Sequence, residues 1–403
     1  MKYRIDVKSG NKLSVLGFGC MRFPRGINAK IDINKTTELV MSAIERGVNY
    51  FDTAHNYSGS EQILGGILKQ NKSARAKIYL ATKLPFVHCK TYEDFDRFFN
   101  TQLKRLQTDY IDYYLIHALS CTSDWSRIRE LNIEKWLAEK QLSGQIRQIG
   151  FSYHGTQDEF VTLLDEYVWD FCQIQYNYMN ENYQAGRGGL LQAHKRGMSV
   201  MIMEPLLGGK LAVGLPKRAM NILNEADNNR TPAEWALRWL WDQPEVTLTL
   251  SGMNTDEQLD DNIKSAESAE TDMMSEDDKA VIKKVVEIFK ESYKIPCTGC
   301  NYCMPCPNEV NIPGSFAAYN TYFVSSRMTG FTQYVLDTGA AKTGKTFSGK
   351  NCIKCGKCEK ACPQHIKIIK ELESVVKKME PFWFNMAMKY TRSRNFKVRY
   401  IPR

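Results

Sequence analysis

The stretch VLGFGCMRFP, residues 15–24, decides between two α/β folds. It begins as a short apolar strand and reaches Gly17-Phe18-Gly19, the first two glycines of a dinucleotide-binding turn. An open doubly wound sheet needs a full G-x-G-x-x-G there, so that backbone and helix approach closely. Arg22 stands where the third glycine would be, so the fingerprint is absent. Seven more apolar runs follow: VNYFD (48–52), KIYLATK (77–83), YIDYYLIH (110–117), QIRQIGFS (145–152), FCQIQYN (171–177), MSVMIME (198–204) and VTLTLSG (246–252). Amphipathic stretches such as NKTTELVMSAIERG (34–47), YEDFDRFFNTQLKRLQ (92–107) and TPAEWALRWLWDQ (231–243) lie between them. Each begins near an Asn, Thr or Asp suited to capping a helix, and the first ends at Gly47. Strand–helix alternation implies parallel strands with crossover helices. Eight such units over roughly 250 residues predict a closed (β/α)8 TIM barrel.

The chain has 403 residues, more than one ordinary domain, with 43% hydrophobic and 25% charged residues. The reading divides it into a barrel (1–270), a helical connector (271–292), a cysteine-rich domain (293–375) and a basic aromatic tail (376–403). Of the net charge of +9, the stretch from Lys377 to Arg403 contributes +7, with eight Lys or Arg against Glu380. Such a mixture of cations and aromatics suits nucleic acid, an anionic membrane or an acidic protein. No nucleic-acid fold signature accompanies it, and the plainer expectation is a tail packing its aromatics on its own protein with its cations in water. The first residues lack a basic segment followed by an apolar one, and no apolar run is long enough to span a bilayer, so the expected location is cytoplasmic.

In a barrel of this kind, chemistry sits at the C-terminal ends of the strands. Those ends carry Asp52, Lys83 and His117 on three successive strands, with Tyr57 five residues past Asp52. A tyrosine's ordinary pKa of about 10 makes it a weak acid. A neighbouring ammonium stabilises the phenolate, and a carboxylate holds the ammonium in place. An imidazole N–H can orient a carbonyl and bind its oxygen as charge develops. Such a group protonates an oxygen while hydride reaches the carbon.

The blocks LGFGCMR, FDTAHNYSGSEQILG, ATK, LIH, IGFS, QIQYN and PLLGGKL occur in an order that resembles the aldo-keto reductase family, over residues 1 to about 265. The resemblance implies a catalytic tetrad of Asp52, Tyr57, Lys83 and His117, with Tyr57 as general acid, and NAD or NADP as hydride carrier. It also implies cofactor contacts from Gly19, Cys20, Arg22, Ser152, Gln173, Leu206, Gly208, Lys210, Ser251 and Asn262. The chain departs from the family at Tyr153, often Asn, and at Met203, often an aromatic that stacks on the nicotinamide. The block SGMNTDEQLDDN (251–262) offers Ser251, Gly252, Met253 and Gln258 where relatives present a cation to the adenosine 2′-phosphate, which leaves NADPH and NADH both open. His154 ends the fifth strand and is a further residue for the site's lining, whereas His55 reads as an orienting or structural residue.

Twelve cysteines divide sharply. Cys20, Cys89, Cys121 and Cys172 are scattered and read as small buried residues. The other eight form CTGCNYCMPCP (297–307) and CIKCGKCEKACP (352–363). The second is the C-x2-C-x2-C-x3-C-P run of bacterial [4Fe–4S] ferredoxins, whose fourth cysteine serves the other cluster. The first shortens the last gap to two residues. The expected ligand sets for two [4Fe–4S] clusters are Cys297, Cys300, Cys303 and Cys362, and Cys352, Cys355, Cys358 and Cys306. Tetrahedral zinc, or one cluster with spare thiols, are the other arrangements this spacing admits. The long spacer resembles that of helical dicluster modules fused to oxidoreductases, and Tyr302 and Ile366 read as apolar cover.

Three functional readings follow. The first is a nicotinamide-linked reductase acting on a small carbonyl or alcohol. The second is an electron-transfer oxidoreductase that meets a ferredoxin or flavodoxin and needs a two-to-one electron converter such as a flavin. The third is a redox-sensing binding subunit without catalysis, against which the intact tetrad argues.

Overall fold

A computed structural model describes residues 1–26, 30–340 and 346–393. Contacts group the chain into two compact units, residues 1–206 with 233–276, and residues 207–232 with 277–403.

The first unit is the barrel. Its strands are β3 (Leu16–Gly19), β4 (Tyr50–Asp52), β5 (Tyr79–Leu84), β6 (Ile111–Leu119), β7 (Ile146–Tyr153), β8 (Phe171–Gln175), β9 (Ser199–Met203) and β10 (Leu248–Ser251). They close in the order β10-β3-β4-β5-β6-β7-β8-β9, all parallel. Each coincides with an apolar run of the sequence, because parallel barrel strands are buried on both faces and lose the polar alternation of a half-exposed strand. Tyr50, Ala81, Tyr113, Leu115, Phe171, Met201 and Leu248 fill the interior, while Phe18, Phe51, Tyr114, Ile116, Phe151 and Ile202 face the surrounding helices. Caps start several of those helices: the Asp32 carboxylate accepts from Lys35 N at 3.0 Å ahead of Ile33–Glu45, and Thr156 and Thr255 do the same for Gln157–Leu164 and Asp256–Glu267.

A two-stranded antiparallel hairpin, β1 (Tyr3–Ile5) and β2 (Lys12–Ser14), precedes the barrel. Leu13 joins the interior cluster. Asp6, fully buried, accepts from Tyr113 Oη at 2.7 Å and from Ser199 Oγ at 2.6 Å. Ser199 is the first residue of β9, so the hairpin closes the N-terminal end of the barrel and leaves the C-terminal end for chemistry.

The second unit is largely helical. Its core gathers Ile295, Val310, Phe316, Tyr334, Leu372, Val375 and Met379 from the helices Ile312–Val324, Arg327–Asp337 and Ile368–Met379 and the segments between them. The Asn320 side chain accepts from Lys294 N and Ile295 N (3.1 and 3.0 Å) and donates to the Ile295 carbonyl (2.7 Å), which fixes the segment leading to Cys297. The connector is the helix Glu276–Ser292. Residues 207–232, which the sequence places inside the barrel, pack with this unit: Arg230 pairs with Asp278 at 2.9 Å and Arg218 with Glu291 at 3.6 Å. Of the basic tail, residues 376–393 are described, with the helix Phe384–Ser393, and 394–403 lie outside the described residues. Phe384 and Met388 are buried, whereas Phe382 is 94% exposed. No helix among the described residues is long and apolar enough to cross a membrane.

Candidate functional site

Asp52 ends β4, Lys83 lies near the end of β5 and His117 near the end of β6. Lys83 is fully buried; its Nζ donates to Asp52 Oδ1 at 2.6 Å and to the Thr53 carbonyl at 2.9 Å. Gln173, on β8 across the barrel, donates from Nε2 to Asp52 Oδ2 at 2.9 Å, so both carboxylate oxygens are held. A buried ammonium is tolerable only when paired and hydrogen-bonded in this way.

Tyr57 is placed by a double turn. Its N–H donates to the Ala54 carbonyl (3.0 Å) and its own carbonyl accepts from Ser60 N (2.9 Å). Gly59 completes the turn at φ +77°, the left-handed region that favours glycine. Ser60 starts the helix Ser60–Gln70 and pins it to the end of β3 by donating to the Cys20 carbonyl at 2.8 Å. Lys83 Nζ then lies 5.0 Å from the centre of the Tyr57 ring. The Tyr57 and His117 rings are 6.0 Å apart and nearly perpendicular, at 87°. The β6–β7 register shifts between Ile116 and Leu119, and Ala118 takes φ +60°. Ser152 Oγ accepts from Ala118 N at 2.7 Å and fixes this irregularity, which re-aims His117.

Burial holds the His117 imidazole well below its ordinary pKa, and the Lys83 ammonium adds to the effect. The ring is therefore neutral near pH 7. A depressed histidine pKa means that the unfolded chain takes up a proton the folded chain refuses, so this contribution is present above about pH 6.5 and shrinks as pH falls below it. Unfolding free energy is expected to drop by up to about 1.4 kcal/mol per pH unit from this group. His117→Gln should flatten that slope in denaturant titrations between pH 6.5 and 5. An unchanged slope would mean that His117 is protonated in the folded protein.

Behind Lys83 lies a buried polar cluster that the sequence did not disclose. Glu61, 1% exposed, accepts from Thr82 Oγ1 (2.8 Å), Gln102 Nε2 (3.0 Å) and Arg105 Nη1 (3.1 Å). Gln102 also donates to the Lys83 carbonyl at 2.9 Å and accepts from Tyr114 Oη at 2.7 Å. One signal was available: Gln102 sits on the apolar stripe Phe95, Phe98, Phe99 and Leu106 of its helix, a core-facing place for a polar residue. His55 pairs with Arg105 at 3.1 Å and stands edge-on to Phe98, a structural setting. His154 is buried and meets Gln184 Oε1 through Nδ1 at 3.2 Å.

The cofactor candidates divide between the two units. In the barrel, Gly19 lies beside Ser251, since a Cβ on it would stand 3.4 Å from the Ser251 carbonyl oxygen. Asn262 donates to Ser251 Oγ at 2.9 Å. Cys20 is buried and Leu206 packs against the main core. Arg22 brings a cation to the block after β10: its side-chain carbons lie 3.4–3.7 Å from where a Gly252 Cβ would be. In the second unit, Leu207, Gly208 and Gly209 all take positive φ, and Lys210 follows. The Lys210 ammonium donates to the Cys297 carbonyl and lies 4.9 Å from the Tyr293 ring centre.

The eight clustered cysteines line two cavities. One is lined by Cys303, Cys306, Cys352, Cys355 and Cys358, with Val310, Ile369 and Leu372 as apolar wall. The other is bounded by Cys297, Cys300, Cys303 and Cys362, with Phe316, Ile366 and Ile368. Cys303 lines both cavities, and the other seven cysteines divide between them. Among the described residues, no three His, Cys, Asp or Glu side chains converge on a point suited to a single ion. All-thiol donors spread around an apolar cavity fit a polynuclear cluster better than one zinc. Of the scattered cysteines, Cys20, Cys89 and Cys172 are buried and Cys121 is half-buried.

Asp52, Tyr57, Lys83 and His117 thus stand together at the C-terminal end of a closed parallel barrel, in a chain that also carries a cysteine-rich module. Residues 15–283 match the aldo/keto reductase family and residues 296–367 match the 4Fe-4S dicluster domain. The chain belongs to the aldo/keto reductase family and carries a 4Fe-4S dicluster domain after the barrel. It is similar to an uncharacterized oxidoreductase of Bacillus subtilis (strain 168), 26% identical over 72% of this chain and 96% of that protein. It is also similar to glyoxal reductase of the same organism, 27% identical over 62% of this chain and 83% of that one. Among solved structures, an aldo-keto reductase of Bacillus halodurans in its holo form is 25% identical, with a TM-score of 0.57 over 71% of this chain and 96% of that one.

Proposed function

We propose that the chain is an NAD(P)H-dependent reductase of small carbonyl compounds, with Tyr57 as general acid and two [4Fe–4S] clusters bound by the crosswise cysteine sets. The observation that supports the chemistry best is the position of Lys83, paired to Asp52 at 2.6 Å and lying 5.0 Å from the Tyr57 ring. When bound, the nicotinamide supplies the hydride. Tyr57 Oη gives its proton to the substrate oxygen, and the Lys83 ammonium stabilises the phenolate left behind. Asp52 balances the ammonium, and Gln173 keeps Asp52 from turning away. Neutral His117 offers an N–H to the same substrate oxygen and orients the carbonyl. In the opposite direction, phenolate Tyr57 accepts the proton of an alcohol. Gly19, Cys20, Arg22, Ser152, Gln173, Leu206, Ser251 and Asn262 are the proposed nucleotide contacts within the barrel unit.

The eight thiols would hold iron–sulfur clusters, which supply one-electron storage when present. The exposure of Cys355 supports a second reading, in which the chain exchanges electrons with an external carrier. Anaerobic purification followed by iron and sulfide analysis separates the arrangements: two clusters give about eight irons per chain, one gives about four, and zinc gives none. Cys362→Ser should lower the iron count toward half while leaving the set of Cys306, Cys352, Cys355 and Cys358 occupied. Retention of full iron in that variant would rule out the crosswise sets. The reductase reading itself is tested by carbonyl-dependent oxidation of NADPH and NADH under the same conditions, with bound flavin measured by its absorbance.

A further inference from the structure

The two cysteine cavities are unlike in their access to solvent. None of Cys297, Cys300, Cys303 and Cys362 is exposed, whereas Cys355 of the other set is. Beside Cys355, Ile353 is 61% exposed, an apolar side chain in open solvent. Gly356 follows at φ +73° with nothing within 4 Å of where a Cβ would be, so another backbone can approach closely. Around this spot the chain places Lys350, Lys354, Lys357 and Lys360. Lys350 pairs with Glu380 at 2.8 Å and Lys354 with Glu373 at 2.7 Å. Lys357 and Lys360 are exposed and make no salt bridge among the described residues. The acid between them, Glu359, turns away: its Oε1 accepts from Ile369 N at 2.9 Å, at the start of the helix Ile368–Met379.

We infer that this face, an exposed Ile353–Cys355–Gly356 centre rimmed by Lys357 and Lys360, is the docking surface for a small acidic one-electron carrier protein. Transient redox encounters use small interfaces, below about 1,200 Å². In such interfaces a compact apolar centre brings the redox groups together, and charge complementarity supplies orientation and rate. A cationic rim with its nearest acid turned inward attracts a carrier of negative surface charge and repels a basic one of the same size. One electron would pass per encounter, from the reduced carrier, which is left oxidised, to the group that Cys306, Cys352, Cys355 and Cys358 would hold, which gains that electron. The inference rests on the reading that the thiolates hold clusters, and iron content reports on that separately from binding.

The test uses the full chain loaded with iron and sulfide. Oxidised acidic [2Fe–2S] ferredoxin is titrated into it by calorimetry, with basic cytochrome c and anionic phospholipid vesicles as parallel probes. Ferredoxin is expected to bind, with Kd weakening about tenfold or more as salt rises from about 0.05 to 0.3 M. Lys357→Glu with Lys360→Glu should weaken ferredoxin binding by a similar factor at low salt, with iron content and visible absorbance unchanged. If that pair disturbs cluster loading, Lys357→Gln with Lys360→Gln and the salt series on the unaltered chain carry the same comparison. Ferredoxin affinity indifferent to salt and to both substitutions would overturn the assignment. Preferential binding of cytochrome c, or of vesicles through the same lysines, would overturn it as well.

Discussion

Tyr57→Phe is expected to lower kcat for carbonyl reduction by about 10²–10⁴-fold, the usual yield of a positioned general acid. The phenyl ring keeps the perpendicular contact with His117 and the ring's place over Lys83, because only Oη is removed. Nucleotide affinity should therefore change little, which fluorescence quenching on NADPH addition would measure. This separation is the diagnostic part: a binding defect would lower kcat and nucleotide affinity together. Turnover within a factor of a few of the unaltered protein would end the case for Tyr57 as proton donor and direct attention to His117 or a water.

The second large effect concerns stability. Asp52→Ala leaves the Lys83 ammonium buried with only the Thr53 carbonyl among its described hydrogen-bond partners. Removing one member of a buried ion pair typically costs about 3–5 kcal/mol, because the remaining charge stays desolvated. The barrel's unfolding transition in urea should shift accordingly. Adding Lys83→Met to the same chain removes the orphan charge and should recover much of the loss, though not the activity. A double variant no more stable than Asp52→Ala would show that the carboxylate acts through Gln173 and not through Lys83. Gln173 also donates a hydrogen bond to that carboxylate, at 2.9 Å.

The parts of this protein legible in the sequence share a physical cause. Barrel strands read clearly because each is buried on two faces, and the nearness of Asp52, Tyr57, Lys83 and His117 was legible because strand ends share one end of a barrel. The β1–β2 hairpin was not read: its strands are three residues each, and Tyr3–Ile5 buries too little to leave a pattern. Glu61 and Gln102 were missed because a buried polar group is identified by its partners, here Thr82, Lys83 and Tyr114 on neighbouring strands. Ser152 and Lys210 illustrate the same limit. Motif position suggests a nucleotide contact for both and says nothing of the hydrogen bonds they make with Ala118 N and the Cys297 carbonyl. Those partners are remote in the chain and carry no local trace.

The grouping of residues 207–232 with the cysteine-rich unit has a consequence for how this gene can be rearranged. The polypeptide passes between its two compact units at 206/207, 232/233 and 276/277, three crossings where a simple tandem fusion has one. A stop codon ahead of Cys297 would take from Lys210 its carbonyl partner, and from the arm between β9 and β10 much of its packing. Nor could the dicluster portion be transplanted as a cassette, since part of its unit is encoded upstream of the last barrel strand. The two halves are interleaved in the reading frame, and recombination can exchange them only together.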